Sequence, residues 1–125
     1  MNTVIWIVQG LLAVTMLAAG SQKLVKTKEQ LLASGTMDWT EDFAPGQIKG
    51  IGTLEVLGAI GLVLPAALDI APVLTAVVAV GVVMLMLGAG STHLRRGELQ
   101  MLPVNVVIAG LALFVAIERF GPNAF

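Results

Sequence analysis

Cysteine is absent from the 125-residue chain. That excludes disulfides, thiolate metal sites and C-x-x-C redox chemistry. Charge is scarce as well. Only 12% of residues are charged, against about 25% in an ordinary soluble domain. A domain this small leaves much of its surface facing its solvent, and seven basic plus eight acidic side chains do not coat that surface in water. The formal net charge is −1, so no strong bias of either sign points to nucleic acid. Catalytic signatures are missing too. The chain has no glycine-rich phosphate loop, no nucleophile elbow and no H-E-x-x-H.

What is abundant is apolar surface, with 57% of residues hydrophobic and fourteen glycines besides. Disorder needs low hydrophobicity and is excluded. A single membrane domain over residues 1–125 is the class that remains. The charges are also clustered. Residues 1–22, 70–92 and 99–117 carry none, and residues 50–68 carry only Glu55. A helix needs about 20 mostly apolar residues to cross the hydrocarbon. The gaps therefore predict four spans, over 3–24, 47–67, 71–92 and 101–119. Backbone groups in lipid must be satisfied within their own segment or in a closed barrel. The run from Val73 to Leu87 shows no alternation of the barrel kind, so the fold class is an all-α transmembrane bundle.

Local chemistry sets the boundaries. Leu64-Pro65 is expected to close the second span, since a residue before proline disfavours the helical region. Asp69 and Pro72 suit the N-cap and first turn of the third. Pro103 fits the first turn of the fourth. Gly97 and Gly121-Pro122 fit the turns that follow the third and fourth. In the long connection, Thr27 to Gln30 reads as a capping box ahead of a short amphipathic helix at the membrane surface. Trp39 and Phe43 follow at an i, i+4 spacing. They suit either the bilayer interface, which aromatic rings favour, or an ordered loop packed on the end of the bundle.

The first segment lacks a positive n-region and matches a cleavage site only in part, so a retained span is expected rather than a signal peptide. Four spans place both termini on one side. The opposite side holds Lys23, Lys26, Lys28, Lys49, Arg95 and Arg96, against Arg119 alone on the terminal side. By the positive-inside rule, the six mark the cytoplasm and both termini lie outside it.

A charge at a helix centre costs about 2.5–3.5 kcal/mol to insert, so Glu55 is the residue to explain. It lies roughly 12 Å into its span at 1.5 Å per residue. Ile51, Gly52, Gly58 and Ala59 share its face, and small residues let helices come close. Lys23, His93 and Asn105 are the groups placed to meet it. Lys23 reaches back along its helix by its flexible stem. One reading of the four is a ligand-binding or proton-linked pocket. The other is a polar clasp that holds the helices in register. Gln9 reads as an interhelical hydrogen bond. Thr15, Thr53 and Thr75 can bond to their own helices. Gly46-xxx-Gly50 and Gly88-Ala89-Gly90 read as close packing, and Met84 and Met86 as core or lipid-facing. A single histidine without a carboxylate at ligand spacing argues against metal. Arg95 and Arg96 are candidates for anionic lipid head groups, or simply set topology.

Four pieces in order complete the reading: AAGSQKL (18–24), IGTLEVLGAIGLVLP (51–65), THLRRGE (92–98) and LALFVAIERFGP (111–122). Together they resemble the DoxX-like family of small bacterial membrane proteins. The resemblance spans nearly the whole chain and rests on Gly20, Lys23 and Leu24 in the first motif. In the second it rests on Glu55, Gly58, Gly61 and Pro65. It implies a four-helix bundle in the bacterial inner (cytoplasmic) membrane. About function it implies little; the buried carboxylate on a small-residue face, with no catalytic set, reads as a non-catalytic accessory or quinone- or lipid-binding subunit, working as a homo-oligomer or beside a membrane partner. A bound quinone is the cofactor the resemblance allows, since no cysteine is present for dithiol chemistry. Two alternatives stand beside it: a small proton-coupled transporter of lipophilic solutes, and a subunit of a quinone-linked oxidoreductase complex. Against the transporter, small multidrug exporters carry their glutamate in the first span, and the basic residues here are not balanced between the two sides.

Overall fold

The computed structural model describes residues 1–34 and 37–124. Four long helices account for most of the chain: α1 (Asn2–Val25), α3 (Pro45–Ala67), α4 (Leu74–Arg95) and α5 (Leu102–Phe120). With the short turn before α5, all four are long and apolar enough to cross a membrane. The short helix α2 (Lys28–Ala33) follows α1. Its Thr27 side chain accepts from the Gln30 N–H, and the Gln30 side chain accepts from the Thr27 N–H. That is the reciprocal capping expected from the sequence. Tight 3₁₀ turns occupy Asp38–Asp42 and Leu99–Met101.

Each long helix buries one narrow stripe. On α1 the stripe is Ile5, Gln9, Leu12, Met16, Gly20 and Lys23, and on α3 it is Ile48, Gly52, Glu55, Ala59 and Leu62. Steps of three and four are the seam of a left-handed bundle. The opposite faces expose large apolar side chains such as Ile7, Leu11, Val14, Leu57, Val77 and Val106. In water those faces would be polar, so they are lipid-facing. α1 packs chiefly on α3, and α4 on α5. Contacts between α3 and α4 join the two pairs, and the α1–α5 seam is the slightest of the four. The core between them is Leu12, Met16, Leu62, Ala79, Val82 and Val115 with their neighbours.

Two boundary expectations are corrected. Pro65 does not close α3, which runs on to Ala67. In the last turn, proline removes one hydrogen bond and can be absorbed there. Nor is Asp69 the N-cap of α4. It has φ +55°, the Ile70 N–H donates to the Pro65 carbonyl, and the Asp69 N–H donates to the Ala66 carbonyl. That is a Schellman stop, so Asp69 ends α3 instead of starting α4. Ala71 also has φ +46°, and α4 begins only at Leu74, with Pro72 before it. Pro103 sits in the first turn of α5 as expected.

Candidate functional site

The site begins with two glycines. A Cβ on Gly20 would stand 2.7 Å from the Gly52 carbonyl oxygen, and one on Gly52 would stand 2.9 Å from the Gly20 carbonyl oxygen. The backbones of α1 and α3 therefore touch at this point, which only hydrogen side chains permit. Lys23 and Glu55 each follow their glycine by three residues, on the same face. Their charged groups meet at 2.6 Å, Nζ to Oε1. Both side chains are almost fully enclosed, with Lys23 6% and Glu55 4% exposed. Lys49, from the first turns of α3, ties down the end of α1 by donating to the Leu24 and Lys26 carbonyls.

The third group comes from the end of α4. Gly97 has φ +71°, and the Glu98 N–H donates to the His93 carbonyl at 2.8 Å. This second Schellman stop folds Glu98 back over the helix. Its carboxylate lies 2.9 Å from His93 Nδ1 and 3.3 Å from Arg96 Nε. The hydrogen bond from His93, helped by Arg96, holds the Glu98 carboxyl below its ordinary range. Sequence reading missed Glu98, although its signal lay in RRGE: a glycine stop returns the next residue to the last turn.

Trp39 caps the assembly. Its ring lies 5.5 Å from Lys23 Nζ, close enough for a cation–π contact. It meets Phe43 edge-on at 5.5 Å and the His93 ring at 6.5 Å. These contacts pack both aromatics on the end of the bundle.

Lys23, Glu55, His93, Trp39 and Phe43 help line a cavity of about 500 Å³. All four residues singled out for the site line it: Lys23, Glu55, His93 and Asn105. Lys23 pairs with Glu55, but His93 turns to Glu98 instead of to that pair. The Asn105 amide nitrogen is buried without an acceptor among the described residues. Met84, Met86, Met37 and Met101 line the remaining wall with Thr15, Ile108 and others. Arg95 is at the mouth, exposed to solvent, whereas Arg96 is drawn into the Glu98 cluster. Among the described residues, no three histidine or carboxylate side chains converge as a metal-ligand set.

A second polar cluster lies at the opposite end of the bundle, where the sequence indicated an interhelical bond only for Gln9. Gln9 Nε2 donates to the Leu62 carbonyl at 2.8 Å, and its Oε1 accepts from Arg119 Nε at 2.8 Å. Arg119 Nη1 donates to Asn2 Oδ1 and to the Asn123 carbonyl, and Trp6 lies 5.7 Å from its guanidinium. The interhelical hydrogen bond expected of Gln9 is present. Arg119, read from sequence only as a topology mark, is buried. Its signal was register: it follows Ala112, Val115 and Ala116 on the one buried stripe of α5.

Four apolar helices with lipid-facing exteriors, and charged groups held in the interior or at the helix ends, define a multi-pass helical membrane protein. The DoxX-like family model matches residues 7–115, and the chain belongs to that family. No curated protein and no solved structure matches it.

Proposed function

We propose that the protein is a non-catalytic binding subunit whose cavity takes a membrane-soluble amphiphile with an acceptor-bearing head, a quinone or a lipid. The observation that carries this is Asn105. Its amide nitrogen is buried without an acceptor beside a cavity of about 500 Å³. A buried unsatisfied donor costs about 1–3 kcal/mol, and a ligand carbonyl would relieve it. The wall chemistry agrees. It is polar at Lys23, Glu55, His93, Asn105, Arg95 and two threonines, and otherwise lined mainly by methionine, aromatic and aliphatic side chains, the mixture small-molecule sites use.

The Lys23–Glu55 contact favours binding over proton-coupled export. The Glu55 carboxylate is engaged by the Lys23 ammonium at 2.6 Å instead of standing free in the cavity. In this reading the Lys23 end faces the cytoplasm of a bacterial cell, since that end holds Lys26, Lys28, Lys49, Arg95 and Arg96 as well.

Trp39 supplies the test. In a Trp6→Phe background it is the single tryptophan, and a quinone in the cavity quenches it. Saturable quenching that Asn105→Ala weakens by about tenfold, the equivalent of about 1.4 kcal/mol, is the expected result. Unsaturable quenching, identical in both proteins, would remove the proposal.

A further inference from the structure

We infer that the α1–α5 seam is a lateral doorway to the polar cavity, and that it holds the apolar chain of the molecule whose head lies beside Asn105. This rests on the binding reading above and adds the ligand's shape and its route of entry. Four observations carry it. The α1–α5 contact is the slightest of the seams that close the bundle. A second cavity, of about 420 Å³, runs along that seam between Leu11, Leu12 and Thr15 on one side and Pro103 to Leu111 on the other. Thr15 and Ile108 line both cavities, so only these two side chains need stand between them. The chemistry changes between them: the inner cavity carries the charged groups, whereas the seam is walled by Val104, Val107, Ile108 and leucines.

The one hydroxyl in the seam is already satisfied, because Thr15 Oγ1 donates to the Leu11 carbonyl at 2.8 Å. Pro103 has no N–H to offer. The doorway therefore offers a chain nothing but apolar contact. Along α5 it extends from Pro103 to Leu111, about 12 Å at 1.5 Å per residue. Helix α5 contributes wall to both compartments. Asn105 lines the inner cavity, while Val104 and Val107, on either side of it in sequence, line the seam. At the other end Trp39, Phe43 and Met37 stand against the cavity. The seam opens instead on the lipid-facing side, where Leu11, Val104 and Val107 are exposed. A molecule with a polar head and one chain fits both compartments at once.

The test uses the full chain in lipid nanodiscs, with Trp6→Phe so that Trp39 alone reports. Two probes are titrated: a ring-only benzoquinone and the same ring carrying a ten-carbon chain. Each is titrated into the parent and into Val107→Phe, which fills the doorway without touching the inner cavity. Val104→Phe serves as the second variant if Val107→Phe does not fold. Comparing parent with variant for each probe cancels the greater partitioning of the chained quinone into lipid. The expected result is a loss of about tenfold in affinity for the chained quinone and no change for the ring alone. Equal affinities of parent and variant for both probes would overturn the doorway, since the seam would then hold only annular lipid, and would leave the head pocket standing. Failure of both probes to quench saturably would overturn the binding reading, and the doorway with it.

Discussion

Lys23 Nζ stands 2.6 Å from Glu55 Oε1, one turn beyond the point where Gly20 and Gly52 bring α1 and α3 backbone to backbone. The helix contact and the ion pair are therefore one device. The glycines set the separation, and the charges fall within reach because both sit three residues further along the same face. The same closeness shields the pair from water, which strengthens their attraction and raises the cost of leaving either alone.

That coupling gives a direct expectation. Lys23→Met leaves a buried carboxylate without its cation and should cost about 3–5 kcal/mol of stability. Adding Glu55→Gln should recover much of the loss. Unfolding in mixed micelles, run as a double-mutant cycle, measures it. Two losses that simply add would mean that the pair contributes nothing as a pair.

The glycine contact is separable from the charges. Gly20→Ala places a Cβ 2.7 Å from a backbone oxygen, where no flexible side chain can yield. It should cost about 1–3 kcal/mol, as overpacking does. Gly50→Ala, on α3 with nothing within 4 Å of its Cβ, should instead leave stability unchanged or raise it by up to about 1 kcal/mol. Thermal unfolding of the two variants side by side checks the contrast.

Acid should loosen the end of α4. The Glu98 carboxyl is held below its ordinary range by His93 and then Arg96, so its contribution is present above the unfolded value. It is lost as pH falls from about 4.3, the ordinary glutamate value, through the lower folded one. Stability measured down this range should decline in the parent. Glu98→Gln should flatten that part of the curve, and an unchanged slope would show that Glu98 adds nothing to the pH dependence.

Much of this was legible in the amino-acid order because it is local. Hydrophobic runs give helices, and Thr27 with Gln30 caps α2 through groups three residues apart. Glu55 stood out because a lone charge in an apolar run is costly wherever the helix lies. Local reasoning also erred locally. Asp69 resembles an N-cap by type, but the left-handed turn that finishes α3 claimed it first. Pro65 resembles a stop, yet the final turn of a helix loses little by one missing bond.

The order of residues by itself determined the class of the protein. Too little charge and four long apolar runs admit only helices in a membrane, whatever their arrangement. It also determined that Lys23 and Glu55 share a register with small residues. Only the tertiary structure decided which polar groups meet. Gln9 and Arg119 are 110 residues apart in sequence and 2.8 Å apart in space, and His93 turned to Glu98 rather than to Glu55. Partner choice depends on how four helices rotate against one another, and that rotation follows from packing the whole set of interior side chains together.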